Sequence, residues 1–139
     1  MVCIYCGSDT EIYNSRPKAR QPLVWRRRRC KLCVAQFTTH ELPEYATALV
    51  VDRGKVLVPF ERDKLFLSIY RACDHRPDSQ VVATELTDTV LGLIARRKLA
   101  PEGKLTPQTL ALVIFSSIKR FDSHAGALYK AYHQVALKK

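Results

Sequence analysis

Beyond a polar first third, apolar positions along the chain begin to recur at regular intervals. "ATALVVDRGKVLVPF", residues 46–60, sets two apolar runs around Asp52, Arg53, Gly54 and Lys55, which predicts a β-hairpin with glycine in its turn. Leu65, Ile69 and Cys73, with Phe66 and Tyr70, then fall at helical spacing until Pro77. Val82, Leu86, Val90, Leu93 and Ile94 form a second helical stripe, and "LAPEGKL" reads as a loop. Thr106 followed by Pro107 suits an N-cap and first-turn pair for a third helix carrying Leu110, Val113, Ile114 and Ile118. Asp122 can cap a fourth, with Leu128, Tyr129 and Tyr132 on its apolar stripe. The pattern therefore predicts one α+β domain over residues 46–137, a hairpin followed by four helices.

Residues 1–41 carry no comparable stripe, and a segment of that size cannot bury a core of its own. It does hold four of the five cysteines, as Cys3-x2-Cys6 and Cys30-x2-Cys33. Two such knuckles can converge to give four thiolates to one tetrahedral Zn2+, so metal stands in for hydrophobic core. Four thiolates leave no open coordination position, so the zinc is structural. Disulfides fit a reducing compartment poorly, and a redox C-x-x-C needs only one pair. Gly7 suits the positive-φ turn after the first knuckle, whereas Val34 in the second must be accommodated differently or carry strain. Cys73 lies on an apolar stripe and is expected to be a buried small hydrophobe.

Charge follows the same division. Residues 1–40 hold eight Lys/Arg against Asp9 and Glu11, while the remaining 99 hold fifteen against eleven. Arg16, Lys18, Arg26, Arg27, Arg28, Arg29 and Lys31 lie in a stretch without any acid and are the candidate contacts to an acidic polymer. The segment has no amphipathic helix, which favours nucleic acid over an anionic membrane. Alternation along a strand would put Arg26 and Arg28 on one face and Trp25, Arg27 and Arg29 on the other. Trp25 suits stacking on a base or sugar and, equally, packing beneath the sheet. Apolar runs are far too short to span a membrane and the N-terminus lacks a signal-peptide layout, so a soluble, cytoplasmic protein is expected. There is no phosphate-binding glycine loop of the G-x-x-x-x-G-K-[ST] type and no nucleophile paired with a base, so no enzyme is expected. His40, His75, His124 and His133 show no mutual ligand spacing.

"CIYCG", "NSRP", "WRRRRC", "QFTTHE", "PFERDKL" and "RACDHRP" occur in that order along the chain. In this the sequence resembles the NrdR family of bacterial transcriptional repressors over nearly its whole length. The resemblance implies a DNA-binding zinc ribbon over residues 1–41 joined to an ATP-cone over 46–137. It further implies control of ribonucleotide reductase operons, with ATP and dATP as allosteric ligands that change the homo-oligomer and so its hold on double-stranded operator DNA. By the same resemblance Val50, Arg53, Lys64 and Leu65 match positions that pack the base and hold the phosphates, with Tyr129 and Lys130 as secondary candidates. The chain departs from the pattern at Gln36, where the family has arginine, and at Asp52, where the cone's opening motif has lysine. An acid beside a triphosphate is repulsive, so Lys55 or Lys64 would have to compensate. The alternative reading is a zinc-ribbon RNA-binding or ribosome-associated protein with a purely structural helical domain.

Overall fold

A computed structural model describes residues 1–133, so the last four residues of the expected 46–137 domain lie outside the described residues. The chain divides into two compact units, Met1–Pro43 and Glu44–Lys139.

The first unit is a three-stranded antiparallel sheet, β1 (Thr10–Pro17), β2 (Val24–Cys30) and β3 (Gln36–Glu41), with β2 in the middle. Its hydrophobic interior is minimal: Cys3, Leu23 and Cys30 are the only apolar side chains buried in it. The register pairs Ile12 with Arg28 and Asn14 with Arg27, leaving Tyr13 unpaired in a β-bulge. On the other side of β2, Arg29 faces Gln36, Arg27 faces Thr38 and Trp25 faces His40.

The second unit opens with a single helical turn, α1 (Tyr45–Ala48), and the hairpin β4 (Val50–Asp52) and β5 (Leu57–Pro59). Helices α2 (Arg62–Ala72) and α3 (Ser79–Arg96), the short strand β6 (Lys104–Leu105), and helices α4 (Pro107–Phe121) and α5 (Ser123–His133) follow. The hairpin and the four long helices agree with the sequence pattern. Thr106 caps α4 as expected, its hydroxyl accepting from the Thr109 N–H at 3.1 Å. Asp122 caps α5, accepting from the N–H groups of His124 and Ala125 at 2.9 and 3.0 Å. Ile69, Cys73, Val90, Leu105 and Ile118 are wholly buried in one core. No described helix is long and apolar enough to cross a membrane.

Three details differ from the pattern. Residues 46–48, read as the start of a strand, lie in α1, whose Tyr45 packs edge-on against Phe60 with ring centroids 6.1 Å apart. The "LAPEGKL" loop contains β6, which joins β4 in parallel through Val51 and Leu105, so the hairpin becomes a three-stranded sheet. Tyr132 is exposed, and the buried face of α5 is built from Ala125, Gly126 and Tyr129.

The "RACDHRP" segment ties the helices together. Arg76 forks onto Asp78 at 2.9 and 3.1 Å and donates to Asp122 at 3.1 Å, while its guanidinium lies 5.1 Å from the Phe121 ring centre. His75 approaches the same Asp122 oxygen at 3.3 Å. One carboxylate thus caps α5 and receives the loop between α2 and α3.

Candidate metal centre and nucleic-acid interface

The two knuckles bring the sulfurs of Cys3, Cys6, Cys30 and Cys33 within 4.8 Å of one another. Cys3 and Cys33 lie 3.7 Å apart, and Cys6 and Cys30 3.5 Å. A zinc–sulfur bond of about 2.3 Å in a tetrahedron requires sulfurs about 3.8 Å apart, so the quartet fits this ion. The distances are far beyond the ~2.05 Å of a disulfide. Backbone N–H groups also converge on sulfur: Tyr5 donates to Cys3, and Leu32 and Cys33 donate to Cys30, each at 3.4 Å. Such bonds stabilise thiolates. Hydrogen bonds from the Ser8 backbone, then its side chain, and then the neighbouring thiols bring the Cys6 thiol down to about 6. Cys33 is helped by the Ala35 backbone, yet Cys30 and Cys6 outweigh it and push its thiol up to about 12. Four thiolates cannot coexist at this spacing without a cation among them. Val34 adopts φ of 61°, close to the 74° of Gly7, so the second knuckle repeats the first and carries the strain. Among the described residues no other three His, Cys, Asp or Glu side chains gather closely enough to hold a metal.

Strand alternation sorts the four arginines of β2 into two pairs. Arg26 ion-pairs with Glu41 at 2.5 Å, and Arg28 donates to Thr39 and Thr10, both at 3.3 Å. Both are half-buried and bonded to neighbouring strands. Arg27 and Arg29 are exposed on the opposite face and have no ion-pair partner among the described residues. Arg16, Lys18 and Lys31 are likewise exposed. The register lays three cross-strand rows on the Arg27 face: Glu11, Arg29 and Gln36, then Asn14, Arg27 and Thr38, then Arg16, Trp25 and His40. Gln36 accepts from the Tyr13 hydroxyl at 2.7 Å, a contact across the sheet that its sequence position did not suggest.

In the second unit a cleft of about 320 Å³ opens between the hairpin and helices α2, α4 and α5. Arg53, Lys64, Leu65 and Tyr129 line it; Val51 does so in place of Val50, while Lys55 and Lys130 are exposed outside its wall. Val50 and Val51 point to opposite faces of β4, and the alternation within "LVVD" was the available signal. Ser68 and His133 also line the cleft, bonded to each other at 2.9 Å, with the His133 ring stacked on Tyr129 at 4.3 Å. Ser68 follows Lys64 by one helical turn, a spacing that could have found it. Burial, then the charge of Arg71, lowers the His133 pKa, and burial pushes the Tyr129 phenol up to about 12. Lys64 is paired with Glu61 at 2.7 Å. The Asp52 carboxylate accepts from the Gly54 N–H at 2.7 Å and so closes the hairpin turn, where Gly54 sits at φ 84°. A larger groove, about 570 Å³, lies between α3 and α4; none of the candidate site residues picked from sequence lines it.

Comparison with known proteins bears on both units. Residues 1–41 match the family model described as "Transcriptional repressor NrdR-like, N-terminal domain". The chain is similar to the transcriptional repressor NrdR of Pelobacter propionicus, at 40% identity over 97% of this chain and 91% of that protein. It is also similar to the NrdR repressor of Azorhizobium caulinodans, 35% identical over 90% of this chain and 71% of the relative. That of Sphingopyxis alaskensis is 30% identical over 90% and 79%. Similarity of this extent, spanning the cysteine sheet and the helical unit alike, makes the chain a member of the NrdR family of transcriptional repressors.

Proposed function

We propose that this protein is a zinc-dependent repressor that binds double-stranded operator DNA through the Arg27 face of its N-terminal sheet. ATP and dATP, taken up in the hairpin cleft, govern its homo-oligomeric state, and the controlled genes encode ribonucleotide reductase. The observation that carries the reading is the division of labour on β2. Arg26 and Arg28 brace the sheet, leaving Arg27 and Arg29 displayed together on a face flanked by Arg16, Lys18 and Lys31. A guanidinium held on a rigid strand loses little entropy when it docks on phosphate or guanine.

Fluorescence anisotropy on ribonucleotide reductase promoter fragments, repeated over a range of salt, tests the DNA half. Arg27→Ala and Arg29→Ala should each lower the salt slope by about 1 if the side chain meets a phosphate. If it reads a base, the change should cost about 1–3 kcal/mol and relax specificity. Undiminished affinity in the double variant would overturn the assignment. A preference for RNA of the same sequence would favour the ribosome-associated alternative.

The nucleotide half rests on Arg53, Lys64, Leu65 and Tyr129 sharing one cleft of sufficient size. Lys64 must exchange Glu61 for phosphate, and Lys55 and Lys130 lie close in sequence to reach an extended ligand from outside. Titration of ATP and dATP into wild type and Lys64→Ala, followed by calorimetry and light scattering, should show binding and a change of assembly only in wild type. Equal binding by both would remove Lys64 from the site. Asp52→Lys is expected to add phosphate attraction but to lose the Gly54 bond that shapes the turn, so its net effect on affinity separates the two roles.

A further inference from the structure

The row Arg16–Trp25–His40 ends in a concavity of about 450 Å³, lined also by Pro17, Lys18 and Leu23. Trp25 is half-exposed, while Leu23 beside it is buried and serves the small interior. The β1–β2 loop that shapes one side is tied by backbone bonds, Lys18 N–H to Leu23 O at 2.9 Å, Gln21 N–H to Lys18 O at 3.2 Å and Leu23 N–H to Gln21 O at 2.9 Å. It also holds Arg20 at φ 68°, a conformation that costs an arginine energy. The loop at the concavity's edge is therefore fixed by backbone bonds before any ligand arrives.

Its chemistry is specific. The Trp25 indole lines one wall, the His40 imidazole is its cross-strand neighbour in the register, and Arg16 and Lys18 supply positive charge without an ion-pair partner among the described residues. A flat π-face flanked by cations is the pattern that takes an unstacked nucleobase while holding its phosphates. A paired base inside a duplex does not offer its face, so filling the pocket requires local unstacking. The pocket opens on the face that carries Arg27 and Arg29, so DNA lying there would pass it.

The geometry points to Trp25 as a stacking site for one unstacked base of bound DNA, with Arg16 and Lys18 on the adjoining phosphates. This rests on the DNA-binding reading above and adds a preference for sequences or lesions that open easily. Trp25 is the chain's single tryptophan, so its fluorescence reports on this pocket alone.

The experiment uses the full-length, zinc-loaded protein and three DNA probes: a matched promoter duplex, the same duplex with a two-base mismatch bubble, and the corresponding single strand. Bubble and single strand should quench Trp25 fluorescence, and the bubble should bind about tenfold more tightly than the matched duplex, the size of one stacking contact. In Trp25→Leu the bubble preference should fall to parity, and in Trp25→Phe it should be partly kept. If Trp25→Leu fails to fold, wild-type quenching with Lys18→Ala as the weakened comparison still decides. Equal affinity for bubble and matched duplex without quenching would overturn this inference and leave DNA binding standing. Failure to bind the matched duplex at all would overturn both.

Discussion

The two units solve the same problem of cohesion in opposite ways. The helical unit buries Ile69, Val90, Leu105 and Ile118 completely. The N-terminal sheet buries almost nothing except two of its own metal ligands and Leu23, and its surface is where its charge is displayed. Where apolar burial holds a fold together, the open space is a cleft between elements. Where four sulfurs do so, a face of the sheet is left free of core packing and can display Arg27 and Arg29.

The sharpest way to break the comparison is to remove the metal. Structural zinc contributes on the order of 10–16 kcal/mol in small thiolate sites, more than the sheet can replace. Chelation, or Cys30→Ser, should release zinc and unfold residues 1–43 while the helical circular dichroism survives. Retention of both sheet and metal would show that the cysteines are not the organising centre.

The converse experiment damages the core. Ile118→Ala should cost about 2–5 kcal/mol by urea denaturation of the helical unit. Zinc content and the N-terminal sheet should be unaffected, since the units have separate interiors.

A smaller effect comes from Asp122. The Ala125 N–H first, and then Arg76 and His75 against the opposing effect of burial, hold its carboxyl at about 2, below the ordinary 3.8. The stabilisation is present above the unfolded value and is lost as pH falls through the folded one. Between pH 4 and 2 the helical unit should weaken more steeply in wild type than in Asp122→Asn, as measured by thermal melts across that window. Identical slopes would mean that the capping carboxylate is not coupled to folding. Smallest of all, Val34→Gly should relieve positive-φ strain and raise the N-terminal unit's stability by up to about 1 kcal/mol, offset in part by unfolded-chain entropy. A loss of stability would show that the Val34 side chain is itself needed.

Much of this was legible in the sequence, because it depends on local chemistry. The cysteine spacing, the capping of α4 and α5 by Thr106 and Asp122, and the stripes of the long helices all follow from residues a few positions apart. What escaped depends on partners far along the chain. α1 and β6 are too short to carry a period, and they exist because Tyr45 meets Phe60 and Leu105 meets Val51. The alternation of β2 was readable, but which arginine pair stays free was not. That choice is made by Glu41, Thr39 and Thr10 on the neighbouring strands. Likewise Lys64 pairs with Glu61, and Val51 rather than Val50 reached the cleft through strand geometry.

The bulge at Tyr13 has a bearing on chain length. Because one residue already stands outside the ladder there, deleting it would leave Ile12 opposite Arg28 and Asn14 opposite Arg27, the neighbours they have now. The first strand can therefore lose a residue at this point and keep every side chain on its own face. A deletion within β2 has no such slack. It would slide one part of the strand against the other and exchange the bracing arginines for the displayed ones. Variation in the spacing between the cysteine knuckles should consequently collect on the β1 side, where the sheet has an expansion joint, and spare the strand whose register decides which charges meet the outside.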